Sequence, residues 1–119
     1  MDIGGEDDDR IARRVTALTD LIQCRRSPSE ARLLLRDFTW DSDPLVHVSN
    51  TDVSAVLQTF VSGTASFTFV EEWAEVLESR EDVRIDPTAH AALYELANPA
   101  LEGHLTVDRA RELLAALRL

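Results

Sequence analysis

Lysine is absent: all twelve basic residues are arginine. The skew points to GC-rich coding, as in many bacterial genomes, and carries no mechanism of its own. Cysteine occurs once, at Cys24, so no internal disulfide can form and no thiolate zinc site can be built. This usage fits a reducing compartment. With no histidine nearby in the sequence, Cys24 reads as a small core residue. Glycine and proline number four each, and β-branched residues do not alternate with polar ones over any long run. Both facts favour helix over sheet. No stretch approaches the roughly 18 apolar residues that cross a bilayer. The first residues, Met1 to Asp9, are acidic where a secretory signal needs a basic start and then an apolar run. The expectation is a cytoplasmic protein that does not engage membranes.

What is present suits one packed domain: 119 residues, 45% of them apolar. Apolar spacing and capping residues place about six helices. Residues 1–7 read as a disordered end, and residues 8–119 as a single helical domain. The first helix is expected from Asp8 to Cys24, with a stripe of Ile11, Val15, Leu18 and Ile22. Ser27 and Pro28 open a second helix that carries Ala31, Leu34, Leu35 and Phe38 and stops near Asp37 or Phe38. Residues 38–46 break helical pattern and read as an irregular loop. A short strand at 45–48 is an alternative that lacks a partner. Ser49 and Asp52 resemble a capping box for a third helix with Val53, Val56, Leu57, Phe60 and Val61 inside and Gly63 as its stop. A fourth helix after Ser66 buries Phe69, Val70, Trp73, Val76 and Leu77. Arg80-Glu81-Asp82 leads into a loop. Asp86 and Pro87 open a fifth helix, carrying Ala89, Leu93, Leu96 and Ala97, that ends at Asn98-Pro99. Residues 100–105 read as a loop. Thr106 caps a sixth helix with Ala110, Leu113, Leu114 and Leu117 at helical spacing. The fold class is therefore all-α, a compact single-domain bundle, with Phe60, Trp73 and Leu114 in its core.

Catalytic and metal motifs do not emerge. His47, His90 and His104 share no ligand spacing. Asp41-Ser42-Asp43 opens like a calcium loop, but Val46 and Asp52 stand where glycine and glutamate are required. There is no nucleophile elbow and no phosphate-binding glycine loop. The reading is a non-enzyme without cofactor, metal or small-molecule substrate.

Charge is more informative. The net charge is −10, and residues 37–104 alone hold thirteen acids against two arginines. Such a field repels nucleic acid and steers a basic partner. Glu71, Glu75 and Glu78 share one face of the fourth helix, with Glu72 beside it, and no basic residue on that helix neutralises them. Solubility alone is the plain alternative. Trp73 lies on the apolar stripe and reads as core. Trp40, between acidic residues, reads as core or as an interface anchor.

The order Phe38-x-Trp40-Asp41-Ser42-Asp43, Thr51-Asp52-Val53, Glu72-Trp73-Ala74-Glu75, Arg80-Glu81-Asp82 and Leu96-Ala97-Asn98-Pro99 resembles small helical bacterial immunity proteins of contact-dependent growth inhibition systems. The resemblance covers about residues 31–119. It implies a protein that binds a cognate basic toxin domain, in some cases an RNase, and neutralises it. The expected partner surface is Trp40, Asp41, Asp43, Glu71, Glu72, Glu75 and Glu78. The competing reading is an acidic helical protein-interaction module, an adaptor or regulatory subunit, unrelated to toxins.

Overall fold

Two capping boxes set the frame. The Ser27 hydroxyl accepts the Glu30 amide at 3.1 Å while the Glu30 carboxylate reaches back to the Ser27 amide. Ser49 and Asp52 do the same, with 3.2 and 2.9 Å separations. Each box satisfies amides that the first helical turn leaves without partners. The computed structural model describes residues 3–36, 38 and 43–118, apart from the side chains of 3–8 and 102. Its elements are α1 (Ile3–Ile22), α2 (Pro28–Leu35), β1 (Val46–Val48), α3 (Asn50–Val61), α4 (Phe67–Glu78), β2 (Val83–Ile85), α5 (Pro87–Ala97), α6 (Pro99–Glu102) and α7 (Val107–Leu117). The helices dominate, as expected for an all-α bundle.

The core is a single apolar cluster. α4 packs most extensively on α5, α3 on α7, and α1 on α2. Trp73 is fully buried (0% exposed), and its indole N–H donates to the Leu21 carbonyl at 2.8 Å. That bond ties the end of α1 to the middle of α4. The expected α7 stripe of Ala110, Leu113, Leu114 and Leu117 is buried throughout. Phe60 packs against the core only partly buried.

Several boundaries and faces differ from the sequence reading. α1 begins at Ile3, inside the segment expected to be disordered. The first turn has unpaired amides in any case, so Gly4 and Gly5 cost less there than mid-helix, and the acids that follow suit the positive end of the helix dipole. Ile11 is 47% exposed. α1 packs chiefly on α2 and β1, and the core meets Ala17, Leu18, Leu21 and Ile22 instead. Leu34 is likewise exposed, because the eight-residue α2 turns Ala31 and Leu35 inward. One helical turn, α6, occupies what read as loop.

The strand that lacked a partner has one. β1 pairs in parallel with β2, Val46 opposite Val83 and Val48 opposite Ile85. The α3–α4 hairpin connects them, since a parallel pair needs a crossover connection. Asp86 closes the end of this ribbon. Its amide donates to the Val48 carbonyl at 3.1 Å. Its carboxylate does not cap α5 but lies 2.7 Å from His47 Nε2. The His47 hydrogen bond holds the Asp86 carboxyl below the usual range for an aspartate, helped by the Asn50 amide.

The Arg80-Glu81-Asp82 run, read as leading into a loop, contains the one buried charge among the described residues. Asp82 is 0% exposed. Its carboxylate takes Arg14 at 2.9 Å and Arg80 at 2.7 Å, so α1 is fastened to the α4–β2 connection. Arg10 and Arg14 lie over the ring of Phe38, 4.9 and 5.6 Å from its centroid.

Cys24 is exposed rather than core. α1 ends in a Schellman motif: the Cys24 amide bonds Leu21 and the Arg25 amide bonds Asp20. This motif requires a left-handed residue, and Cys24 supplies it at φ 58°. α3 ends the same way, with Gly63 at φ 84°. A β-carbon in that conformation costs about 1–2 kcal/mol, while glycine costs roughly 0.5–1 kcal/mol in chain entropy. Cys24→Gly is therefore expected to stabilise the protein by about 0.5–1 kcal/mol in urea unfolding, and Cys24→Ala to bring no such gain. Equal effects of the two substitutions would show that the conformation is not the source.

Candidate protein-interaction surface

α4 is built from a Ser66 N-cap, whose hydroxyl accepts the Phe69 amide at 3.1 Å. Val70, Trp73, Ala74, Val76 and Leu77 fall inward at helical spacing, which turns Glu71, Glu75 and Glu78 outward and Glu72 to their side. The four carboxylates do not form one uncompensated stripe. Glu71 is half-buried, 3.0 Å from His104 Nδ1. Glu75 is exposed, 3.5 Å from Arg32 of α2. Glu72 and Glu78 are half-buried and have no ion-pair partner among the described residues. The neutralising groups come from other elements, which a reading along α4 alone does not register. Asp43 is exposed, just before β1. Trp40 and Asp41 lie outside the described residues.

Sequence reasoning missed two exposed apolar residues on the described surface. Phe67, the first residue of α4, is exposed, and its ring lies 4.8 Å from that of His104. Leu101 of α6 is 72% exposed. An apolar residue inside a segment read as loop was the available signal at Leu101. Phe67 gave none, because its neighbour Val70 is buried and Phe69, expected to be buried, packs against the core only partly buried. An exposed aromatic beside carboxylates is the composition of a binding anchor.

A cavity of about 230 Å³ beside Glu71 brings Glu95, His104 and Arg109 together. Its charges are already matched. Arg109 donates to Glu95 through Nε at 2.7 Å and through a second guanidinium nitrogen, and Glu71 meets His104. The bidentate Arg109 bond holds the Glu95 carboxyl below the usual glutamate range and keeps the guanidinium charged. The stability this clamp adds is present above the ordinary glutamate pKa of about 4.3 and is lost as pH falls through the lower, folded-state value. Glu95→Gln is thus expected to lower the thermal midpoint at pH 7, and the gap to wild type should close on acidification towards pH 3. A gap independent of pH would deny the clamp that role.

Among the described residues, no group of three or more His, Cys, Asp or Glu side chains could hold a metal ion. Although Cys24 is exposed, partial desolvation of its thiol by neighbouring atoms pushes the pKa up, so it stays protonated at neutral pH. No described helix is long and apolar enough to cross a membrane. Comparison with protein-family models, with curated proteins and with solved structures finds no match to this chain.

Proposed function

We propose that this chain binds a basic protein partner, and that the partner is a toxin domain it neutralises, as the resemblance to immunity proteins of contact-dependent growth inhibition implies. The observation that carries the reading is the charge distribution: thirteen acids against two arginines in residues 37–104, with Glu72 and Glu78 of α4 unpaired among the described residues. A domain that acts on RNA is basic where it holds phosphates. Carboxylates presented at that place speed encounter and exclude the substrate. Exposed Phe67 supplies an apolar anchor beside the charge.

The test is co-expression with the C-terminal toxin domain of a neighbouring contact-dependent inhibition gene. The pair should co-purify and the cells should grow. Co-purification without protection would favour an acidic adaptor or regulatory module, and the absence of both co-purification and protection would remove the toxin reading. Within such a complex, Glu75→Lys with Glu78→Lys should slow association roughly ten-fold at low salt and flatten its dependence on ionic strength. Identical rate curves would move the interface away from α4.

A further inference from the structure

Seven of the twelve arginines lie within residues 10–36. A chain of net charge −10 thus gathers most of its cations in α1, α2 and the residues that flank them. An open groove of about 790 Å³ runs between α1 and α2. Arg13, Arg26 and Arg36 rim it, and Leu33, Leu34 and Phe38 supply its apolar lining. Arg26 is held by Asp20 at 3.2 Å. Arg13 and Arg36 have no ion-pair partner among the described residues. Leu33 is 62% exposed and Leu34 43%. Arg36 also lines a second groove of about 530 Å³ on the other side of α2, floored by Leu35 and Val76.

Neither folding nor solubility calls for this arrangement. The leucines bury little in the free chain, and a protein already at −10 gains no solubility from clustered arginines on an aliphatic face. The groove spans about two turns of α1. A third helix laid between α1 and α2 would cover both leucines in the helix-in-groove manner. We propose that the α1–α2 groove docks an acidic, amphipathic helical segment of a protein partner, its aliphatic side chains on Leu33, Leu34 and Phe38 and its carboxylates on Arg13 and Arg36. Charge complementarity selects an acidic occupant. The aliphatic lining selects a polypeptide over a nucleic acid, whose long-range approach the net charge also opposes. This site is separate from the acidic face of α4, opposite to it in sign, and does not depend on the toxin reading.

The probe is a helical peptide of about 16 residues, long enough to hold helix, with leucine at i, i+3, i+4 and i+7 spacing and glutamate elsewhere. Its lysine counterpart is the control. The glutamate peptide should bind at low salt, lose affinity as salt rises, and protect α1 and α2 amides from hydrogen exchange. Arg13→Glu with Arg36→Glu should weaken it at least about ten-fold. Both residues are exposed, so the variant should keep its circular dichroism spectrum, and the milder Arg13→Gln with Arg36→Gln serves if it does not. Absence of binding, or binding unchanged in these variants, would overturn the proposal. So would self-association of the free chain that the same substitutions abolish, which would make the occupant a second copy. Capture by phosphatidylserine vesicles, lost in the same variants, would assign the groove to a membrane surface instead.

Discussion

Trp73→Ala is expected to remove a large part of the protein's stability. The side chain is fully buried in the core and hydrogen-bonded to Leu21 of α1, and truncating a buried tryptophan costs about 3–5 kcal/mol. Against a total stability of roughly 5–15 kcal/mol, a chain of 119 residues has little margin. Trp73→Phe separates ring volume from the hydrogen bond. The Leu21 carbonyl also accepts the Cys24 amide at 3.1 Å, so losing the indole N–H leaves no orphaned acceptor. The phenylalanine variant should cost only about 1–2 kcal/mol, from one hydrogen bond and part of the ring. Urea unfolding followed by circular dichroism gives both values. A loss under about 1 kcal/mol for Trp73→Ala would mean that this contact does not organise the core.

Asp82→Asn should cost about 3–5 kcal/mol. The carboxylate is fully buried, and the Arg14 and Arg80 side chains are only 13% and 9% exposed. Removing the anion leaves two guanidiniums near one another in poor solvent, which is worse than never having had the pair. Arg14→Met is the informative companion. It removes one cation, keeps Asp82 paired to Arg80, and should cost clearly less. If Asp82→Asn and Arg14→Met proved equally mild, the cluster would be solvated in solution and would not fasten α1.

Local signals were legible in the sequence, and long-range ones were not. The Ser27 cap, the Ser49 box, the Thr106 cap and the Gly63 stop each depend on a few neighbouring residues, and each stands where the sequence places it. The α7 stripe could be read because one face of an eleven-residue helix repeats four times. The β1–β2 pair could not be read, since three-residue strands carry almost no periodicity and Val46 meets Val83 across two helices. Asp82 escaped for the same reason. Its partner Arg14 lies 68 residues away, and a carboxylate in an Arg-Glu-Asp run reads as surface until that partner arrives. Cys24 misled because its residue type favours burial, while the Schellman turn that governs it is a property of the backbone. At the candidate surface, the glutamates were found from helical spacing. Their pairing with Arg32 and His104 was not, because those residues come from α2 and from the segment after α6.

The parallel ribbon also sets the order in which the chain can assemble. Helices of this length form in about a microsecond, but β1 and β2 meet only when the long loop that carries α3 and α4 closes, at an entropic cost. Pairing is then a late step, and the ribbon amides should exchange with solvent only when much of the molecule opens. The turn at 62–65, exposed for most of its length, lies between the two strands. A single cut there would separate β1 from β2 covalently, yet the ribbon, the Asp86 contacts and the α3–α7 packing all bridge the two pieces. The nicked chain would persist as a complex of two fragments, each unable to complete its core without the other, and each a half through which reassembly could be followed in time.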